Sequence, residues 1–324
     1  MLRVGLVGIG GMGFVHYNAY KKIDGAEVVA VADVRTDMAK EKIAEDKVSI
    51  YPSLDELIAN EQVDVIDICT PSYMHTELAV KALEAGCHVI SEKPMSISTA
   101  DTGRVIETAK RVGKYFMTAH VVRFMAPYVY LRGIIESGEL GKVVHIDMKR
   151  ISSIPRWSWD DWMRDVKRSG ATPIDLSIHD IDFAYSVFGE PKSVNGIYSE
   201  LKDNNDYIVS NLVYDGFSIT ATGGWFNAKF PFCAEYIAIF ENGMVKLAGG
   251  DVYKNGEKVD FSNDAKDISE DMGINIPRAD GYTAEIEYFL ECVKNDTPPT
   301  KVTPESSEGS VKLVERILKN VIKI

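Results

Sequence analysis

Three groups of residues in this chain combine reactive types with spacings that do chemistry. Ser91-Glu92-Lys93-Pro94 closes the strand-like run Cys87 to Ile90. A charged residue at the carboxyl end of a buried parallel strand lies beside the crevice where such sheets hold ligands. The proline that follows biases Lys93 away from helix and toward an extended turn. The second group is Thr172-Pro173-Ile174-Asp175-Leu176-Ser177-Ile178-His179. Thr172 is a good helix N-cap, and Pro173 suits the first helical position. The spacing then predicts Asp175 and His179 one turn apart on one helical face, with Asp182 on the same side. A carboxylate beside an imidazole is a proton-transfer pair, since an unperturbed histidine titrates near about 6.5. Two plainer readings stand beside this one: Asp175 only stabilises the helix start, and His179 is a core histidine.

The third group is Gly8-Ile9-Gly10-Gly11-Met12-Gly13, a GxGxxG run that follows an apolar strand and opens a helix. Its glycines permit a tight turn, close backbone approach to a pyrophosphate, and close helix–strand packing. Free N–H groups at the helix start bind the anion. Asp33 ends the next strand, twenty residues past Gly13, where an acid bonds the adenosine ribose hydroxyls. That favours NAD over NADP. Arg35 pulls the other way, because a guanidinium accepts a 2′-phosphate. Asp33 as a cap for a helix near Thr36 is the alternative. Thr70 and Pro71 end the fourth strand at the same rim and offer backbone to the diphosphate and the nicotinamide ribose. His75, five residues beyond Thr70, is either a ligand contact or a packed structural histidine.

The elements that must hold these groups alternate in the first third of the chain. Strand-like runs are Leu2 to Val7, Glu27 to Ala32, Val48 to Tyr51, Val63 to Cys69, Cys87 to Ile90 and Tyr115 to Ala119. Between them lie amphipathic stretches, roughly Met12 to Lys22, Met38 to Ala44, Leu54 to Ala59, Met74 to Ala85 and Thr99 to Val112. That alternation predicts a doubly wound parallel sheet of Rossmann type over residues 1–122. The pattern changes after Val122. A helix (Ala126 to Ser137), a strand (Val143 to Ile151), a tryptophan-bearing loop and a helix (Ile174 to Phe188) lead into longer, alternating strands. These are Ser193 to Glu200, Tyr207 to Tyr214, Ser218 to Gly224, Cys233 to Glu241 and Gly243 to Ala248, with Asp215-Gly216 and Asn242-Gly243 as hairpin signals. Residues 123–324 are therefore expected to form an α+β domain around a large, mostly antiparallel open sheet. One face is expected to be covered by helices and the other by a second copy, as a homodimer or homotetramer. Residues 251–276 read as a hairpin and a surface excursion, and two helices follow, Ala279 to Lys294 and Pro304 to Leu318.

A formal charge of −12 argues against nucleic acid or an anionic membrane as partner. The N-terminus runs straight into a strand, and no apolar run approaches the length of a membrane span. Cys69, Cys87, Cys233 and Cys292 form no CxxC pair and read as buried thiols of a cytoplasmic protein, with neither a metal site nor a disulfide framework.

Taken together, GxGxxG near the N-terminus, Cys69-Thr70-Pro71-Ser72 with His75, Glu92-Lys93-Pro94, and Asp175 with His179 resemble the Gfo/Idh/MocA family of sugar and cyclitol dehydrogenases. The resemblance covers nearly the whole chain, including the last helix, which in that family packs back on the nucleotide domain. It implies that Lys93 is the catalytic lysine, touching the nicotinamide ribose and the reacting hydroxyl. It implies that His179 is the general base in oxidation, that Asp175 holds the substrate hydroxyl, and that Glu92 lies near the cofactor. The sequence departs from the common pattern at Gly170-Ala171-Thr172, where glycines often stand, and at His120, where an Asn or Gln often precedes Arg-Phe. His120 is counted with the cofactor contacts and Arg123 with the substrate contacts. In the loop Arg156 to Arg164, aromatic faces, acids and arginines suit a polyol, and Trp162 and Arg164 are the pocket candidates. The tryptophans as anchors of a long connection are the plainer reading. The expected activity is NAD(P)-dependent oxidation of a secondary hydroxyl of a sugar, an inositol or a sugar derivative. A glycosidase that uses NAD transiently and a non-catalytic dinucleotide sensor are the alternatives.

Overall fold

Most of the short runs of valine, isoleucine and small residues near the N-terminus are buried on both faces, as inner strands of a helix-covered parallel sheet must be. They form β1 (Leu2–Val7), β2 (Ala26–Ala32), β3 (Ser49–Tyr51), β4 (Val65–Ile68), β5 (His88–Glu92) and β6 (Phe116–Ala119). The computed structural model describes residues 1–44, 46–202, 205–260 and 281–324. All six strands are parallel, in the order β3-β2-β1-β4-β5-β6. The helices between them are α1 (Gly11–Tyr20), α2 (Thr36–Lys42), α3 (Leu54–Asn60), α4 (His75–Glu84) and α5 (Thr99–Val112). Strand order reverses between β1 and β4, so the crevice opens at the carboxyl ends of those two strands. Local chemistry fixes the helix ends. The Ser53 hydroxyl accepts the Glu56 N–H at 3.2 Å, and α5 stops at Gly113, whose φ of 67° is left-handed. Leu57, Ile66, Leu83, Val89 and Phe116 fill the core, each stabilising by about 1.5–3 kcal/mol.

The second half continues with α6 (Ala126–Ser137), β7 (Val143–Ser153), α7 (Val166–Ser169) and α8 (Ile178–Phe188). Then come β8 (Ser193–Lys202), β9 (Asn205–Val213), β10 (Ser218–Phe226), β11 (Cys233–Phe240), β12 (Gly243–Ala248), β13 (Asp251–Lys254) and β14 (Glu257–Lys258). The chain closes with α9 (Gly281–Lys294), α10 (Pro304–Asn320) and β15 (Val321–Lys323). The sheet order is β14-β13-β12-β11-β7-β10-β9-β8-β15. It is mixed rather than purely antiparallel, because β10 pairs with β7 and β15 with β8 in parallel. Strict alternation tells the faces apart. Ile146, Met148 and Arg150 of β7 are buried, while Asp147 and Lys149 between them are exposed.

Two buried ion pairs hold α8, one from the inner face of the sheet and one from the turn at residues 121–123. Arg150 donates to Asp180 at 2.8 Å, and Arg123 grips Asp182 with Nε at 2.8 Å and Nη2 at 2.6 Å. Removing one partner of such a pair costs about 3–5 kcal/mol, since a buried charge is left behind. Contacts divide the chain into two units, 1–121 with 282–308, and 122–281 with 309–324. The family resemblance implied that the last helix packs back on the first unit; contacts group α9 and the stretch to Glu308, the first turn of α10, with that unit. The strands of the expected hairpin are β13 and β14, and the excursion expected beyond Asp260 lies outside the described residues.

Candidate functional site

In the first unit the glycine run becomes a cradle that excludes side chains. Gly8 has φ 88°, and a Cβ there would stand 2.6 Å from the Cys69 carbonyl oxygen at the end of β4. A Cβ on Gly13 would overlap the Gly8 carbonyl. Ile9 is buried behind the turn, while Gly10, Gly11 and Met12 stay half-exposed on it. No side chain caps α1, and no acid occupies its first turn, so its leading N–H groups suit an anion. These features fit a dinucleotide's pyrophosphate. The Asp33 carboxylate accepts the Ile9 N–H at 3.0 Å and the Arg35 N–H at 2.8 Å, and it lies 3.3 Å from Arg35 Nε. It therefore ties the glycine turn to Arg35, and α2 begins without a side-chain cap. Lys42, which the sequence did not mark, donates to the Ile9 and Gly10 carbonyls at 3.1 Å each. Burial and then the Arg35 charge push its ammonium below the usual lysine value.

The rim of β4 and β5 gathers Thr70, Pro71, His75, Glu92 and Lys93. Both nitrogens of His75 meet carbonyl oxygens, Nδ1 that of Pro94 at 2.7 Å and Nε2 that of Thr70 at 2.9 Å. Its ring is 1% exposed, and it ties the two loops together. Burial lowers its pKa, opposed by the two carbonyls and Glu92. Glu92 ends β5, is buried, and accepts the Lys93 N–H at 2.9 Å. Lys93 is half-exposed, and the Lys93–Pro94 peptide is cis. His120 is 1% exposed just beyond β6.

His16, also unmarked by the sequence reading, lies behind this rim at 0% exposure on α1. Its Nδ1 meets Asp67 at 2.9 Å, and its Nε2 lies 3.3 Å from Glu92. The one signal available was its place three residues past Gly13, on a helix face that turns out buried. Cys69 and Cys233 are half-buried rather than buried; Cys87 and Cys292 are buried.

In the second unit the helix expected from Ile174 is two structures. Thr172–Leu176 is a π-turn, closed by the Ser177 N–H on the Thr172 carbonyl at 2.7 Å, and α8 starts only at Ile178. Thr172 is not the N-cap. Its N–H donates to the Asp206 carboxylate at 2.7 Å, and its hydroxyl donates to the Asp206 carbonyl at 2.9 Å, so β9 caps the turn from outside. The four-residue stacking of Asp175 on His179 assumed one α-helix, and the five-residue closure of the π-turn removes that premise. Asp175 is buried and His179 half-buried. Asp182 does not join them, being held by Arg123 and by the Ser310 hydroxyl at 2.7 Å. Arg123, expected at the substrate, is 9% exposed and committed to Asp182 through two nitrogens. In the tryptophan loop, Trp157 and Trp159 are 60% and 43% exposed. Trp162 is half-buried, and Arg164 donates to Asp161 at 2.7 Å.

Ala171 enters the π-turn with φ 53° and ψ −157°, fully buried. That region is nearly reserved for glycine, so the departure from the glycine pattern sits where a side chain is most strained.

Comparison with known proteins agrees with this geometry. The family model described as oxidoreductase family, NAD-binding Rossmann fold, matches residues 2–120, and that of the GFO/IDH/MocA C-terminal domain matches residues 128–245. Myo-inositol 2-dehydrogenase of Thermotoga maritima is 32% identical over 194 residues, 58% of this chain and 55% of that protein. D-glucoside 3-dehydrogenase of Escherichia coli is 31% identical over 199 residues, 60% of this chain and 56% of that protein. The chain thus spans a little more than half the length of these curated relatives. An oxidoreductase structure from Agrobacterium radiobacter, in complex with NAD+, L-tartaric acid and magnesium, superposes with TM-score 0.84 at 17% identity. That match takes in 98% of this chain and 96% of the other, and it is a likeness of fold. With models matched across both halves, the chain belongs to the Gfo/Idh/MocA oxidoreductase family.

Proposed function

We propose that this chain is an NAD(P)-dependent dehydrogenase that oxidises a secondary hydroxyl of a sugar, a cyclitol or a related polyol. The observation that carries the reading is the glycine cradle over the uncapped start of α1, at the crevice whose rim also bears Lys93. The relatives named for inositol and glucoside oxidation support the substrate class. Gly8, Gly10 and Gly13 would hold the pyrophosphate, with Asp33 at the adenosine ribose. Asp33 favours NAD, and the neighbouring Arg35 and Lys42 let NADP bind more weakly. Oxidation of a carbinol removes a hydride from carbon and a proton from oxygen. A bound nicotinamide dinucleotide supplies the hydride chemistry. The protein's task is the proton and the charge. Lys93, as a cation, steadies the oxygen as its negative charge grows. His179 takes the proton, and Asp175 holds the hydroxyl in place.

The test is an NADH-absorbance screen of polyols, aldoses and cyclitols with NAD+ and NADP+. Turnover is expected with at least one polyol, faster with NAD+. Lys93→Ala and His179→Ala should each lower kcat by about 10²–10⁴ while dinucleotide affinity stays within a few-fold. Wild-type rates in both variants would sink the assignment.

The outer face of the nine-stranded sheet supports self-association as part of the same proposal. Ile197, Val213, Ile237 and Ile239 stand 37–40% exposed on it. Light scattering should give a dimer or tetramer that Ile237→Lys with Ile239→Lys shifts toward monomer; a monomeric wild type rejects the idea. The four unbridged cysteines fit a reducing compartment, and a cytoplasmic location belongs to the proposal. No helix among the described residues is long and apolar enough to cross a membrane.

A further inference from the structure

Behind the rim that carries Lys93 lies a set of ionisable groups that the mechanism above does not use. All of them belong to the first unit. His16 is the centre, fully buried, with Asp67 of β4 hydrogen-bonded at Nδ1 and the Glu92 carboxylate of β5 3.3 Å from Nε2, at ion-pair distance without an aligned hydrogen bond. The Asp67 carboxylate also accepts the Tyr20 hydroxyl at 3.0 Å and the Cys69 thiol at 3.4 Å. From α9 come the Tyr282 ring, 6.1 Å from the imidazole, and Glu285, which is 0% exposed. Neither Glu285 carboxyl oxygen has a hydrogen-bond partner among the described residues. His75 and Lys93 act on Glu92 from the loop side.

Charge assigns the protons. Burial opposes a charged His16, but the Asp67 carboxylate beside it raises the imidazole well above the ordinary histidine value. Burial would raise Glu92, yet His16 and then Lys93 hold it below the usual carboxylate range. Glu285 goes the other way. Burial, opposed by His16 and joined by Glu92 and Asp67, raises it well above a normal glutamic acid, so it stays neutral. Burial and Asp67 also push the Cys69 thiol up, which keeps its proton and makes the group a hydrogen-bonded network rather than a thiolate site. The set is then balanced. Two anions, Asp67 and Glu92, flank one imidazolium, and Lys93 stands beyond Glu92.

We propose that His16 is a positioning residue for Lys93: its ring bridges Asp67 and Glu92 and so fixes the turn from which the lysine projects. The link is short and covalent at its last step. Glu92 immediately precedes Lys93, and its carboxylate accepts the lysine's own backbone N–H at 2.9 Å. An ionised Glu92 accepts that bond strongly; a protonated one accepts it weakly and no longer pairs with His16. Asp67 fixes the ring from the other side, and Glu285, kept neutral, leaves the imidazolium to its two anions. The inference rests on the proposed role of Lys93.

Two neutral variants separate the two arms of the bridge. His16→Gln places an amide near Nε2, toward Glu92, and His16→Asn places one near Nδ1, toward Asp67. Both remove the charge that holds Glu92 ionised. The acid limb of kcat/KM should therefore move to higher pH, by about one unit, with dinucleotide affinity within a few-fold of wild type. His16→Asn, which also abandons Glu92, should lose more kcat than His16→Gln. Glu92→Gln removes the group that titrates, so adding a His16 change to it should have little further effect on kcat. A role in packing alone would lower the melting temperature and leave the acid limb unmoved, and that result overturns the proposal.

Imidazole ¹⁵N resonances give a readout that needs no turnover. His16 should read as imidazolium at pH 7.5 in wild type and titrate below its ordinary value in Glu92→Gln with Asp67→Asn, where burial alone is left to act on it. A neutral His16 at pH 7.5 overturns the inference even in an active enzyme. A wild type that turns over no polyol with either dinucleotide sinks the activity reading alone.

Discussion

Ala171 shows how much a single backbone angle carries. Its φ of 53° with ψ −157° lies in a region that costs a residue with a Cβ about 1–3 kcal/mol. The surroundings hold it there: its N–H donates to the Ser169 hydroxyl at 2.8 Å, and its methyl is buried with Ile154, Leu176 and Trp225. Replacing it by glycine relieves the strain. The same change removes a buried methyl, about 0.8 kcal/mol, and loosens the unfolded chain by about 0.4–1 kcal/mol. Ala171→Gly should therefore leave the unfolding free energy unchanged or raise it by about 1 kcal/mol. Ala184→Gly is the control, because Ala184 is equally buried but sits inside α8. There glycine costs about 1 kcal/mol in helix propensity besides the lost methyl. Denaturant midpoints compare the two directly. Equal destabilisation would mean that Ala171 is not strained.

At the scale of elements, what the sequence made legible follows from how each element is stabilised. The parallel strands other than the edge strand β3 announce themselves because burial on both faces favours Val, Ile and small residues in them. The alternating strands of the second sheet are legible for the opposite reason, one wet face and one dry. The π-turn is invisible to periodicity. Thr172-Pro173 reads as a helix start, and the residue that caps it, Asp206, arrives from β9 thirty-four positions later. Strand β15 is equally hidden: Val321 to Lys323 directly follow a helix and become a strand only because β8 offers an edge. Lys93 and the glycine cradle were readable because their chemistry is local to one turn. His16 was not, because its meaning depends on Asp67 and Glu92, which the sheet brings together from two other strands. The partner of Arg123 was hidden for the same reason: Asp182 arrives from α8 fifty-nine positions later.

For the whole molecule, the first unit is discontinuous in sequence, and that has consequences for its stability. The chain leaves it at Val121 and returns at Tyr282. The returning segment is tied in at several points: Asp296 accepts the Tyr115 hydroxyl at 2.9 Å, Glu305 pairs with Lys110 at 2.8 Å, and Glu308 accepts the Thr102 hydroxyl at 2.9 Å. It also brings Ile286, Phe289 and Leu290, buried to within 4% exposure, and the Glu285 and Tyr282 side of the His16 network. Three such side chains are worth about 5–9 kcal/mol of burial, comparable with the whole stability of a domain at about 5–15 kcal/mol. A fragment of residues 1–121 should therefore show no cooperative unfolding transition, although it contains every strand of the parallel sheet. Joining residues 282–308 to it through a flexible glycine-serine linker should restore the transition and dinucleotide binding, because the returning segment contributes contacts rather than strands. Thermal and urea unfolding followed by circular dichroism measure this. A 1–121 fragment that unfolds cooperatively at the midpoint of the full chain would show that the returning segment is an accessory, and that the buried His16, Asp67 and Glu92 set survives without its α9 cover.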